Sequence, residues 1–171
     1  MIRRPLVLLV ASVVLAGAAA CEGNVNLSEA LEVTGVLSGY YDNGVTADGK
    51  NHLLPSITFS LKNKSARPVA DVDLNVAFWQ EGADGENDSV FARGIGSTPV
   101  QPGAVSEPLT VRPPHGYTLE QPRADLFTHS LFKDFTIKIF AKRGGRIFPL
   151  GQFKVDRQII PHQTQRAPAN P

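Results

Sequence analysis

Four histidines, His52, His115, His129 and His162, are the first side chains to test for chemistry. None falls into the H-E-x-x-H spacing that sets two imidazoles on one helix face over a zinc ion. Asp125 and His129 lie four apart and would meet on one face of a short helix. A metal needs three or four ligands, and no others are close in the sequence, so this pair reads as a surface hydrogen bond. Asp84, Glu86 and Asp88 alternate through the loop EGADGENDS, a carboxylate spacing that suits calcium. An EF-hand beginning at Asp84 would need glycine where Ser89 stands and glutamate where Ile95 stands. The loop is therefore expected to be a solvated turn, able to hold calcium only weakly and irregularly. Asp42, Asp48 and Asn51 read the same way. There is no G-x-S-x-G elbow to raise a serine nucleophile. Gly94-Ile95-Gly96 lacks the remaining glycine of a phosphate loop. Neither catalytic residues nor cofactors are expected. The aromatic residues Tyr40, Tyr41, Trp79 and Tyr117 are different, because they could stack on a sugar or a peptide. Trp79 is the only tryptophan, and strand alternation turns it away from the face that holds Phe78. Something must then cover it, either a partner or a loop such as the one holding Pro113-Pro114.

Cys21 is the only cysteine in 171 residues, and it directly follows LAGAAA. Before it come Arg3 and Arg4, an apolar run from Pro5 to Ala16 broken only by Ser12, and then Gly17-Ala18-Ala19-Ala20. That charged, apolar and small-residue order is the layout of an export signal. The run is shorter than the roughly 20 residues a membrane span needs. A cysteine after such a site resembles the lipobox of bacterial lipoproteins, although Ala18 stands where that motif prefers leucine. The resemblance implies an acylated Cys21 as the mature N-terminus, holding the protein to a membrane by two or three acyl chains. Two chains give firm attachment where one gives only marginal binding. Glu22, rather than aspartate, follows the cysteine, which points to the periplasmic face of the outer membrane.

Removing residues 1–20 leaves 151 residues with 15 basic and 16 acidic side chains. One domain with a real core fits that length. A net charge of −1 gives no support to nucleic-acid binding. Beyond Cys21 no disulfide or cysteine–zinc site can contribute, so core burial must supply the stability. Charge is unevenly placed all the same: Asp71 to Asp88 holds six acidic residues and no basic one, and Lys133 to Arg157 holds seven basic residues against two acidic. The final hairpin is thus locally basic, facing either anionic headgroups or the acidic segment.

The elements that must position these residues are strands. Ile57, Phe59 and Leu61 alternate with polar residues, as do Val72, Leu74, Val76 and Phe78, and then Phe135, Ile137 and Ile139. Leu31, Val33 and Leu37 are expected to share one face of an earlier strand. Shorter strands are expected at Val90 to Ile95 and at Val105, Leu109 and Val111. A last one runs from Ile147 to Ile159. Arg143-Gly144-Gly145-Arg146 should be a hairpin turn, because adjacent glycines accept positive φ. Gln121 to Leu131 is the one stretch that could open a short helix. The expected organisation is a signal peptide (1–20), a tether (21–29), an all-β antiparallel sandwich of about seven strands (30–160) and a disordered tail (161–171).

Two segments also carry a likeness. ITFSLKNKSARPVADVDLNVAFW (Ile57 to Trp79) places a polar turn between two apolar strands, and VQPGAVSEPLTV (Val100 to Val111) follows with a Pro-Gly corner. This resembles the small immunoglobulin-like sandwiches of bacterial envelope proteins, such as the FxLYD type, except that Phe78-Trp79 stands where that type tends to end in Tyr-Asp. The resemblance implies a fold and no catalytic residues. The expectation is a lipid-anchored accessory or binding protein with an envelope-protein partner. A glycan- or peptidoglycan-binding module and a hydrolase with a dispersed site are the alternatives.

Overall fold

The computed structural model describes residues 25–161. Cys21, the expected export signal and the tail beyond Pro161 lie outside the described residues. The strands are β1 (Leu31–Val45), β2 (Asn51–Asn63), β3 (Val72–Gln80), β4 (Asp88–Ile95), β5 (Leu109–Val111), β6 (Tyr117–Leu119), β7 (Phe135–Arg143), β8 (Arg146–Lys154) and β9 (Ile159–Ile160). They form two sheets. One runs β5-β2-β1-β9, with β6 also on β2, and the other runs β4-β3-β7-β8. Every pair is antiparallel except β1 with β9. The chain changes sheet between β2 and β3, β4 and β5, β6 and β7, and β8 and β9. This is the Greek-key connectivity of an immunoglobulin-like sandwich.

The inner faces supply the core. All ten alternating residues singled out in the sequence are buried: Ile57, Phe59, Leu61, Val72, Leu74, Val76, Phe78, Phe135, Ile137 and Ile139. Full burial of a side chain of this size contributes about 1.5–3 kcal/mol. Gly94 sits where the sheets meet, and a Cβ there would lie 2.7 Å from Leu74 Cγ. The turn at Gly144 and Gly145 has φ of 54° and 77°, as a two-residue hairpin turn requires.

Several sequence expectations need correction. Leu37 does not share a face with Leu31. Pairing of β1 with β2 slips between Thr34 and Leu37, and Gly35 there has φ of 61°. The slip reverses the parity of everything after it, so Leu37 is 52% exposed while Ser38 and Tyr40 point inward. The expected tether is in part a packed element. Leu27–Ala30 is a helical turn (α1), with Asn26 accepting from the Ser28 N–H, and Leu27 is fully buried. The expected last strand is two strands, β8 and β9. Val105 makes only an isolated bridge to Lys62 outside β5. The helix expected within Gln121 to Leu131 is a 310 turn at Arg123–Thr128.

The sandwich has two distinct ends. At one, α1 leads into β1 and packs against β8, and the β2–β3 and β7–β8 turns lie beside it. Ser38 Oγ, midway along β1, donates to the Lys154 carbonyl at the close of β8. The other end holds the β1–β2 and β3–β4 turns, β6, the 310 turn and the start of β7.

Candidate functional site

Tyr40, Trp79 and Tyr117 all come to the end of the sandwich away from α1, on three different strands. β1 carries Tyr40 into the core, β3 ends at Trp79 and Gln80, and β6 brings Tyr117 to the edge of β2 through its pairing with Leu53. Gly116 permits that approach, since any Cβ there would collide with the Leu53 carbonyl. Five rings then interlock. Tyr40 meets Phe127 and Phe132 edge-on at 5.4 and 5.6 Å between centroids. Tyr117 meets Phe132 at 5.4 Å and Phe135 at 6.0 Å. Edge-to-face pairs at such distances add about 0.5–1.5 kcal/mol each beyond area burial.

Beneath the rings lies a charged knot. Asp134, 5% exposed, accepts two bonds from the Arg157 guanidinium, both at 2.9 Å, while Lys154 Nζ approaches it to 2.8 Å. Hydrogen bonding from Arg157 outweighs burial and holds the Asp134 carboxyl at a pKa of about 2. The same guanidinium lies 5.2 Å over the Phe132 ring. Tyr117 joins in through its hydroxyl, which donates to the Lys133 carbonyl and accepts from the Lys133 N–H and from Gln80 Nε2. Burial pushes the Tyr40 hydroxyl far above the ordinary phenol range. That hydroxyl faces the Phe135 backbone without a well-formed hydrogen bond.

Two concavities flank this support. A cleft of about 330 Å³ is walled by Tyr117, Leu119, Leu126 and Phe132, with His129 and Leu131 at its mouth. Its volume lies in the range of small-ligand sites. Leu131 is 75% exposed, the most exposed large apolar side chain among the described residues. Lys50, bridging Asp48 and Glu120 at 3.6 and 3.4 Å, forms the polar rim. A shallower hollow of about 310 Å³ is lined by Trp79, Gln80, Glu81, Thr136, Lys138, Gln152 and Lys154.

The four aromatic candidates therefore divide. Tyr40 and Tyr41 are buried, the latter with the Arg112 guanidinium 3.5 Å over its ring. Tyr117 is half-buried and its hydroxyl is committed to the backbone of Lys133. Only Trp79 keeps an outward aspect. It is half-buried on the outer face as parity requires, and what covers it is Lys138, whose Nζ stands 3.8 Å from the ring centroid. The stacking platform of one tryptophan and three tyrosines is thus not formed.

The acidic and histidine side chains weighed for metal binding are dispersed. Among the described residues no three His, Cys, Asp or Glu side chains gather as a ligand set. Asp84, Glu86 and Asp88 do not converge on a calcium position. Asp88 instead meets His115 Nδ1 at 2.9 Å. His129 does not meet Asp125 but accepts from the Leu131 N–H. Sequence reading missed the cleft, because Leu126, Leu131 and Phe132 sit in a segment without periodicity. Its only signal was the density of apolar residues in DLFTHSLF, unusual for a loop.

No family model matches the sequence, and no curated protein matches it. Among solved structures, the chain is similar to a target of the Northeast Structural Genomics Consortium, at 12% identity over 75% of this chain and 88% of that one, with a TM-score of 0.46. It is also similar to part of a β-glucuronidase from Parabacteroides merdae, at 10% identity and a TM-score of 0.39, covering 73% of this chain but only 13% of the enzyme. A protein from Archaeoglobus fulgidus aligns at 12% identity over 74% of this chain and 100% of its own, with a TM-score of 0.38. No activity, ligand or partner transfers from any of them.

Proposed function

We propose that this chain is a lipid-anchored accessory protein of the bacterial periplasm that binds an envelope-protein partner and catalyses nothing. The anchor is acylated Cys21 on the outer membrane, and the binding surface is the sandwich end opposite α1. One observation carries the reading. At that end a rigid aromatic and ionic support holds open a cleft whose mouth is an exposed leucine. An apolar side chain on a preorganised base suits a protein partner, since rigid surfaces lose little entropy on binding. Trp79, beside the second hollow, extends the same surface.

A glycan-binding module would need stacking rings, whereas Tyr40 is sealed in the core and Tyr41 lies under the Arg112 guanidinium. A hydrolase would have to assemble a site from separate loops, where Asp134 and Tyr117 are already held in structural bonds. The test is a pull-down from detergent-solubilised membranes with wild type and with Leu131→Asp. A stoichiometric protein captured by wild type and lost in the variant, with unchanged thermal unfolding, supports the reading. Retention on purified peptidoglycan, reduced by Trp79→Ala and not by Leu131→Asp, would replace it with the glycan module.

A further inference from the structure

The end where the chain enters has its own chemistry, which the partner cleft does not use. Lys64 and Arg67 lie in the β2–β3 turn, and Lys64 N–H donates to the Ala30 carbonyl at the close of α1. Lys142, Arg143 and Arg146 crown the β7–β8 hairpin, where Arg143 pairs with Arg146 across the turn and Lys142 with Ile147. Ile147 is 61% exposed. None of these basic groups makes an ion pair among the described residues, in contrast to Arg93, which Asp71 and Asp73 neutralise. Glu29, Glu32 and Glu107 are the other carboxylates toward this end, and Glu29 is held by Asn26. The opposite end carries the acidic β3–β4 loop, with Glu81, Asp84, Glu86 and Asp88. Lys50, Lys154 and Arg157 at the far end are each paired with carboxylates, so the charge left unpaired is basic where the chain enters and acidic at the far side.

The chain fixes which end meets a membrane. Only three residues separate Cys21 from Val25, and the four Cα-to-Cα steps span at most about 14 Å. An anchor at Cys21 would hold the basic end within about one or two Debye lengths of the headgroups, where charge attraction still acts.

We infer that this end docks on the bilayer that holds the anchor, with Arg143, Arg146, Lys64 and Arg67 against anionic headgroups and Ile147 at the interface. The docking rests on the anchored reading above. It is the arrangement of a basic rim around an apolar tip, which binds anionic lipid better than neutral lipid. The two-residue glycine turn keeps the hairpin short and fixed, so the arginines and Ile147 are presented together. Docking aims the β6 cleft away from the membrane and toward a partner.

The experiment uses the acylated full chain, in which Cys21 is blocked and an introduced cysteine is the only free thiol. Ile147→Cys and, at the other end, Thr118→Cys are each labelled with a polarity-sensitive fluorophore. The proteins are reconstituted in phosphatidylcholine vesicles with and without phosphatidylglycerol, and spin-labelled headgroups serve as quenchers. The expected result is several-fold stronger quenching at position 147 than at 118 in anionic vesicles. Arg143→Glu with Arg146→Glu should bring 147 down toward the value at 118. Equal quenching at both positions in protein that floats with the vesicles overturns the docking and leaves the anchor standing. Protein that does not float overturns both. A label at 147 already shielded in detergent without lipid would assign this end to a second copy of the chain and overturn the lipid contact.

Discussion

Where the chain enters, the outward surface is a glycine hairpin flanked by arginines that make no ion pair among the described residues, with Arg146 lying 5.2 Å over the Phe148 ring. At the other end five rings interlock over Asp134, which Arg157 and Lys154 hold, although the buried Tyr40 hydroxyl and Trp79 indole N–H lack a well-formed hydrogen bond among the described residues. Both ends close the same sandwich on the same core, and each is bonded within, the near end through buried Asn63, which donates to the Arg67 and Val100 carbonyls. A surface that meets lipid needs charge and an apolar tip, and tolerates freedom because headgroups are fluid. A surface that meets one protein must hold its shape before contact. The proposed division between the ends therefore rests on unpaired basic groups beside exposed Ile147 at one and a ring-lined cleft beside exposed Leu131 at the other.

The contrast can be broken by stability measurements. Tyr40→Ala removes a fully buried ring from the far-end cluster and should cost about 3–5 kcal/mol in a denaturant series. Ile147→Ala, on the hairpin, should stay within about 0.5 kcal/mol. Similar costs for the two would mean that the far end is no more rigid than the near one. Tyr40→Phe sharpens the point, since the hydroxyl has no well-formed hydrogen bond, and should change stability little in comparison.

Acid should loosen the far end first. The Asp134 carboxyl has a folded pKa of about 2 against an ordinary 3.8. It therefore binds fewer protons folded than unfolded. Its stabilisation is complete above about pH 4 and is lost as pH falls through about 2. Because Lys154 and Arg157 are more than half exposed, Asp134→Asn should cost about 1–2 kcal/mol at neutral pH. The variant should also flatten the acid limb of stability against pH. An unchanged acid limb would show that Asp134 is not the group being protonated.

The smallest effect concerns Trp79. With its face under Lys138, the single indole should emit at an intermediate wavelength. Lys138→Ala should shift it red and cost about 0.5–1 kcal/mol. Emission already at the fully wet limit in the wild type would remove the lysine cover.

Much of this architecture was legible in period-two alternation. Ile57 to Leu61, Val72 to Phe78 and Phe135 to Ile139 each keep one phase along an unbroken strand, so parity alone found ten buried residues. Parity failed in β1, where the irregularity around Gly35 adds a residue to one strand and no local pattern announces it. That error hid Tyr40, which alternation from Leu31 would have turned outward. The turn at Arg143–Arg146 was readable because its conformation depends on two adjacent glycines. The candidate site was far less so. Asp134, Arg157, Tyr117 and Gln80 are distant in sequence and meet only when β3, β6, β7 and the chain after β8 reach one end. The β6 strand is three residues long, too short to show a period. Burial of Tyr40 and Tyr41 was equally opaque, since tyrosine serves cores and surfaces alike.

The division of labour between the ends is tested most directly by photo-crosslinking in the acylated chain on intact membranes, with a photoreactive residue at Leu131 or at Ile147. Position 131 should yield a discrete protein adduct, and position 147 should label lipid without that adduct. The same protein adduct from both positions, or lipid labelling from Leu131, would contradict the account.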